Sequence, residues 1–210
     1  MHLVIFARTP AAGTAKTRLI PLLGAAGAAA AAERLLREQV SRAAGVAGET
    51  TLCVTSATPA MHAVAAASGF KVCEQRGADL GERMADALAS GAPAPRVLIG
   101  TDCPSLDAAY LQAAFAALHD NDVVFGPAED GGYGLVGCRG AVPRAIFEDI
   151  AWSTPQVLDQ SLAKARLLKL RAHCLSALWD VDTPEDWHRY VAWCVGRTAP
   201  QAAGVLRDSD

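Results

Sequence analysis

Seven short runs rich in β-branched and other apolar residues recur along this chain between longer Ala- and Leu-rich stretches, and this alternation limits the available folds more than any other feature. The runs are LVIFA (3–7), TLCVTS (51–56), KVCEQ (71–75), RVLIG (96–100), DVVFG (122–126), YGLVGC (133–138) and LLKLRA (167–172). Their length and composition predict strands. Between them, the Ala-rich stretch 24–44 is broken by Glu33, Arg34, Arg37 and Glu38, and 80–90 carries Leu80, Met84 and Leu88 at four-residue spacing. The segment 105–118 carries Leu106, Tyr110, Leu111 and Leu118. These patterns predict amphipathic helices. Strands and helices in alternation predict an α/β fold, with a mainly parallel central sheet flanked by helices.

A chain of 210 residues, 51% of them hydrophobic, can bury a core as a single domain. The sequence predicts that domain over 1–196 and a loose C-terminal tail over 197–210, where periodicity fades. SGAPAP (90–95) reads as a loop feeding the next strand. The formal charge of -3 argues against nucleic-acid binding, which needs a basic footprint. The apolar start of MHLVIFARTP stops at Arg8 and Pro10, too early for a signal-peptide core or a membrane span. Cys53, Cys73, Cys103, Cys138, Cys174 and Cys194 are scattered with no CxxC pair. That pattern predicts free thiols and a cytoplasmic protein.

The loop RTPAAGTAKTRLIP (8–21) follows the first predicted strand. A Walker A loop needs GxxxxGK[ST], but alignment on Lys16-Thr17 puts Pro10 and Ala15 at the glycine positions. Pro10 also lacks a backbone donor. The P-loop NTPase class is therefore excluded. What remains is a strand, a Gly13-containing loop, and two cations, Lys16 and Arg18, placed where parallel α/β sheets bind ligands. A guanidinium fork and an ammonium point charge suit a di- or triphosphate.

Carboxylates answer these cations. In VLIGTDCPSLD (97–107), Asp102 follows a predicted strand and Ser105 can cap the next helix. In LWDVDTPEDW (178–187), Thr183, Pro184, Glu185 and Asp186 suit a helix start. Asp180 and Asp182 have no such explanation, and alternation around Val181 would point both the same way. Asp102 with Asp182, and Asp180 behind them, form a candidate site for Mg²⁺ or Mn²⁺. GPAEDGGYGLVG (126–137) places Asp130, Gly131, Gly132 and Tyr133 on the acceptor or sugar side of the same crevice. AWSTPQV (151–157) adds a helix start at Thr154-Pro155 and a core candidate in Trp152. Cys103 has carboxylate neighbours that raise a thiol's pKa, which argues against a cysteine nucleophile.

The order IFARTPAAGTAKTRL, ADLGERM (78–84), IGTDCPSL (99–106), GPAEDGGYGLVG, AWST and WDVDTPED resembles a bacterial family of GT-A-like transferases, the radical-SAM/selenodomain-associated transferases grouped with nucleotide-diphospho-sugar transferases. The resemblance covers about residues 1–190. It implies a Rossmann-like GT-A fold, nucleotide over the N-terminal half of the sheet, and a metal near Asp102 partnered by the DVD segment. It further implies that Lys16 and Arg18 hold the phosphates and that Arg83 approaches the nucleotide; Ala7, Gly13 and Thr17 of the same first strand and loop complete the expected nucleotide site, with Lys16, Arg18 and Asp102 carrying the chemistry. After DGGY the family has a second aromatic, where this chain has Gly134 and, by expectation, more room beside Tyr133. KTRLIP also resembles the GTRLxP loop of sugar-phosphate nucleotidyltransferases. Glycosyl transfer and nucleotidyl transfer to a small-molecule acceptor both stay open, beside a non-catalytic nucleotide-binding regulatory module. An apolar helix face leaves room for a homodimer.

Overall fold

The computed structural model describes residues 1–89, 94–141 and 143–198. Its strands are β1 (His2–Ala7), β2 (Glu49–Val54), β3 (Lys71–Glu74), β4 (Arg96–Ile99), β5 (Val123–Pro127), β6 (Tyr133–Cys138) and β7 (Ala172–Cys174). The helices are α1 (Ile20–Ala43), α2 (Pro59–Ala66), α3 (Leu80–Ala89), α4 (Ala108–Ala117), α5 (Val157–Leu167) and α6 (Pro184–Thr198). One sheet holds all seven strands in the order β3-β2-β1-β4-β6-β5-β7. Pairing is parallel except where β6 runs against β4 and β5. The expected mixed, mainly parallel α/β architecture is the one observed.

Chain order reverses across β1: β2 and β3 build outward on one side and β4 starts the other. Such a switch point opens a crevice beyond the strand ends, because the flanking connections leave on opposite faces. The register fixes its floor. Ile5 pairs with Ile99, so the loops carrying Arg8 and Asp102 leave the sheet edge side by side. Leu3, Ile5, Val97 and Ile99 are fully buried. Each contributes roughly 1.5–3 kcal/mol through burial, so the strands beneath the crevice are held more firmly than the loops above it.

Apolar clusters cover both faces of the sheet. Leu36 and Val40 of α1, Met61 and Val64 of α2, and Leu111 and Phe115 of α4 pack on one. Met84 and Leu88 of α3 pack on the other with Val4, Leu98 and Phe125. Helix α1 is long and apolar enough, by length and composition, to cross a membrane. In this fold its buried apolar residues, from Ala28 to Ala43, pack within the clusters.

Several local expectations change. The run 167–172 is not a strand: Leu167 closes α5, Lys169 takes a positive φ of 56°, and β7 begins only at Ala172. Leu168 and Leu170 owe their apolar character to packing under the second cluster. Asp107, rather than Ser105, caps α4 by accepting from Tyr110 N at 2.9 Å. The Thr154-Pro155 pair precedes α5 without starting it; the helix begins at Val157. Helix α6 continues past Cys194 to Thr198, while residues 199–210 of the expected tail and 90–93 of the expected loop lie outside the described residues.

Candidate nucleotide-binding cleft

Three segments meet over the ends of β1 and β4. The first is the β1 loop, stapled to the end of β2 by Thr9, whose hydroxyl donates to Ser56 O at 2.8 Å. Arg8 folds back to donate to Thr14 O at 3.0 Å. Ala15 is buried at the loop's base, and Lys16 takes a left-handed conformation, φ 48° and ψ 47°, before the 3-10 turn Thr17–Leu19. A non-glycine residue adopts that region at a cost. Here the cost is offset by what the side chain reaches.

The Lys16 side chain, only 7% exposed, runs under the loop to the second and third segments. Its Nζ lies 2.8 Å from Asp102 Oδ2 and 3.7 Å from Asp182 Oδ1. It also donates to Val181 O at 2.5 Å. Burial works against the charge, but Asp102, Asp182 and Asp180 outweigh it and hold the ammonium above its ordinary pKa. Arg18, largely exposed, pairs with the other oxygen of Asp182 at 2.5 Å. Asp102 sits just past β4, and its carbonyl accepts from Val181 N at 2.9 Å. That bond stitches the DVD segment along the strand end, with Val181 fully buried between its two aspartates.

The C-terminal segment is anchored from behind. Thr183 and Asp186 exchange hydrogen bonds at the start of α6, as the TPED pattern predicts. Trp179, Val181 and Tyr190 pack with Leu35 of α1, and Arg189 lies 4.5 Å over the Trp179 ring while pairing with Glu129. The carboxylates of Asp180 and Asp182 are therefore presented by a packed element.

The cleft has two connected chambers. The first, about 470 Å³, is lined by Ala7, Arg8, Lys16, Thr17, Arg18 and Asp102, among others. The second, about 350 Å³, has Leu80, Met84, Trp152 and Val157 on one side and Asp130, Gly132 and Asp180 on the other. Asp102, Asp182, Gly100 and Ser153 line both. The structure thus gathers Ala7, Lys16, Thr17, Arg18, Asp102, Asp180, Asp182, Asp130, Gly132 and Tyr133 into one crevice.

Other expected site residues sit elsewhere. Gly13 adopts φ 80° to turn the loop and lines neither chamber. Arg83 donates to Gly77 O at 3.0 Å, holding the loop before α3, and lines neither chamber. Gly131 serves the turn: its φ is 86°, and a Cβ there would strike the Pro155 backbone. Tyr133 lines the second chamber with its ring, which packs against Phe125 and Trp152. Its hydroxyl is buried, so it offers the chamber no polar group. The room expected at Gly134 is filled, because Cys103 Sγ would lie 2.5 Å from a Cβ there. A side chain after Tyr133 is excluded by that thiol. Burial and Asp102 push the Cys103 thiol far up, which suits packing rather than attack.

Two lining residues carry no obvious mark in the sequence. Arg8 is one; Ser153 is the other, with a positive φ of 64° at the junction of the chambers. Strained non-glycine residues concentrate at functional sites, but φ cannot be read from the letters WSTP.

Donor chemistry suits a hard divalent ion: Asp102, Asp182 and Asp180 offer carboxylate oxygens only. Burial, and after it the Asp130 carboxylate, raises Asp180 to about 6, against the lowering effect of Lys16. Among the described residues no three such side chains converge as a ready cage. The position between Asp102 and Asp182 is taken by the Lys16 ammonium.

A family model described as an uncharacterized protein conserved in bacteria (DUF2064) matches residues 23–154. The chain belongs to that family. No curated protein matches it. A provisional nucleotide-diphospho-sugar transferase from Desulfovibrio desulfuricans superposes with a TM-score of 0.83 at 27% identity, over 95% of this chain and 88% of that one. The 4-diphosphocytidyl-2C-methyl-D-erythritol synthase of Anaerococcus prevotii gives 0.64 at 8% identity, over 92% and 96% of the two chains. The glucosyl-3-phosphoglycerate synthase of Mycobacterium tuberculosis, solved with Mn²⁺ and UDP, gives 0.54 at 12% identity, over 93% and 78%. The fold is the Rossmann-like GT-A fold of nucleotidyl and glycosyl transferases.

Proposed function

We propose that this member of DUF2064 is a metal-dependent cytoplasmic nucleotidyltransferase, which takes a nucleoside triphosphate in the first chamber and a small-molecule acceptor in the second. One observation carries the reading: Arg8, Lys16 and Arg18 from a single strand-to-helix loop line a chamber whose rim holds Asp102 and Asp182. Three cations on one loop match a polyphosphate better than a singly charged ligand. The six free thiols support the reducing setting.

Arg18 and Arg8 grip the outer phosphates. Lys16, held at the junction of the strand ends, sets its charge against the phosphate under attack. Asp102 and Asp182, with Asp180 beside them, would hold Mg²⁺ or Mn²⁺. That ion supplies charge neutralisation of the transferring phosphate when bound. Asp130 and Ser153 flank the acceptor, while Trp152 and Met84 bury its apolar part. No protein nucleophile is needed, because positioning and charge carry transfers of this kind.

Glycosyl transfer from a nucleotide-diphospho-sugar is the second reading, favoured by the description of the Desulfovibrio relative. Thermal-shift screening of nucleoside triphosphates and nucleotide-sugars, with and without Mg²⁺, tests both. A bound ligand stabilises the native state by mass action. The proposal expects a metal-dependent shift with a triphosphate that disappears in Asp102→Asn. A preference for an intact nucleotide-sugar would favour the second reading, and no shift with either class would refute both.

A further inference from the structure

Away from the cleft, at the edge of the sheet, two cysteines face each other. Strands β2 and β3 pair in parallel with Cys53 directly opposite Cys73, so their side chains project from the same face. Paired strands lie about 4.8 Å apart. That spacing falls inside the roughly 4.4–6.8 Å Cα separation that a disulfide spans. Both thiols are free in the structure; Cys53 is buried and Cys73 is exposed on the outermost strand.

We propose that Cys53 and Cys73 form a reversible disulfide when the protein meets a hydroperoxide, and that this modification acts on the nucleotide chamber through Gln75. The chemistry favours Cys73 as the attacking sulfur. A hydrogen bond from Cys53 lowers the Cys73 thiol to about 7, against the opposing effects of burial and of the Asp86 carboxylate, and Arg76 adds a smaller lowering. The same bond, together with burial, pushes Cys53 up. Cys174, also exposed, is pushed up by burial, so exposure alone does not make a reactive thiol here.

The Cys73 thiolate attacks one oxygen of the hydroperoxide, the O–O bond breaks, and the second oxygen leaves as water or an alcohol after taking a proton. Sulfur is oxidised to a sulfenic acid as the peroxide is reduced. The Cys53 sulfur then attacks the Cys73 sulfur, the S–O bond breaks, and the hydroxyl leaves as water with the Cys53 proton. A low-molecular-weight thiol reverses the bond by exchange.

The route to the cleft is short. Gln75 follows Cys73 by two residues, and its Nε2 donates to Ala7 O at 2.9 Å and to Cys53 O at 3.3 Å. Its backbone N–H bonds Val54 O at 2.9 Å. Ala7 and Arg8 line the first chamber. A covalent tie between Cys53 and Cys73 therefore changes the restraint on the Gln75 clamp that holds the end of β1, because Gln75 bonds the carbonyl of Cys53 and follows Cys73 by two residues. This second clause rests on the proposed nucleotide site; the disulfide itself does not.

The test treats the intact protein with one equivalent of hydrogen peroxide, blocks remaining thiols, and maps tryptic peptides without reduction. Cleavage after Arg42, Lys71 and Arg76 puts Cys53 and Cys73 on separate peptides. The expected result is a 43–71 peptide linked to 72–76 as the main product, lost on adding dithiothreitol and absent in Cys53→Ser and Cys73→Ser. Oxidation first at Cys174, or Cys73 oxidised without linkage to Cys53, overturns the proposal. Triphosphate affinity is then compared between oxidised and reduced protein. A change of at least threefold, abolished by Cys73→Ser, is expected, and an unchanged affinity overturns the coupling. Failure of the reduced protein to bind any nucleotide overturns the proposed function and the coupling, while the peptide map still decides the disulfide.

Discussion

Lys16→Met is the perturbation that most directly reads the architecture of the cleft. The lysine joins all three segments through two short charged hydrogen bonds, to Val181 O at 2.5 Å and Asp102 at 2.8 Å. Charged hydrogen bonds contribute about 1.5–3 kcal/mol each. Two circumstances reduce the loss. The side chains of Asp102 and Asp182 are 48% and 36% exposed and rehydrate when the ammonium goes, and methionine keeps most of the packed stem. The net cost is then about 2 kcal/mol, with the orphaned Val181 carbonyl as the main contributor. In a chain of this size that lowers Tm by about 4–8 °C. Chemical denaturation in EDTA measures the loss, and adding Mg²⁺ should restore more stability to the variant than to the parent, since its two carboxylates have lost a cation. A folded variant within 0.5 kcal/mol of the parent would refute the buried lysine bridge.

Further outcomes follow from the same geometry. Arg18 is exposed, so Arg18→Ala should leave stability within about 0.5 kcal/mol yet weaken triphosphate binding roughly tenfold or more, read by calorimetry. Gly131→Ala forces a side chain into the Pro155 backbone at a positive φ and should cost about 2–4 kcal/mol in urea unfolding. Asp180 is raised to about 6 in the folded state, against an ordinary carboxylate near 4. The native state therefore binds the extra proton between those values, and stability falls as pH rises through that window. In EDTA, Asp180→Asn should flatten this slope and be about 1 kcal/mol more stable than the parent at pH 7, a figure reduced for the group's partial exposure; an unchanged slope would show that Asp180 is not strained by its neighbours.

How far the sequence could be read depended on whether local chemistry or distant packing set each feature. Six strands and the helices α1, α3 and α4 were legible because apolar periodicity records burial directly. LLKLRA misled because the same apolar letters cover a helix end, and only the chain reversal at Lys169 separates the two cases. Although Arg8, beside them in the first chamber, was not singled out, Lys16, Arg18 and the aspartates were legible because charge has few reasons to cluster at strand ends. Their mutual arrangement was not: nothing in KTR says that Lys16 will cross under the loop to a segment 165 residues away. Tyr133 and Gly134 looked like a roomy acceptor wall, yet Phe125, Trp152 and Cys103, all remote in sequence, fill that space. Arg83 was misplaced for a related reason, since its helix is oriented by Met84 and Leu88 and leaves the guanidinium at Gly77.

The most direct measurement of the central claim is product analysis after incubating the protein with each nucleoside triphosphate, Mg²⁺ and a panel of small hydroxyl and amine acceptors. The account predicts pyrophosphate release and a nucleotide-acceptor adduct by mass spectrometry, dependent on metal, and absent in Asp102→Asn. Turnover of a nucleotide-sugar to a nucleoside diphosphate, with every triphosphate left intact, would contradict it.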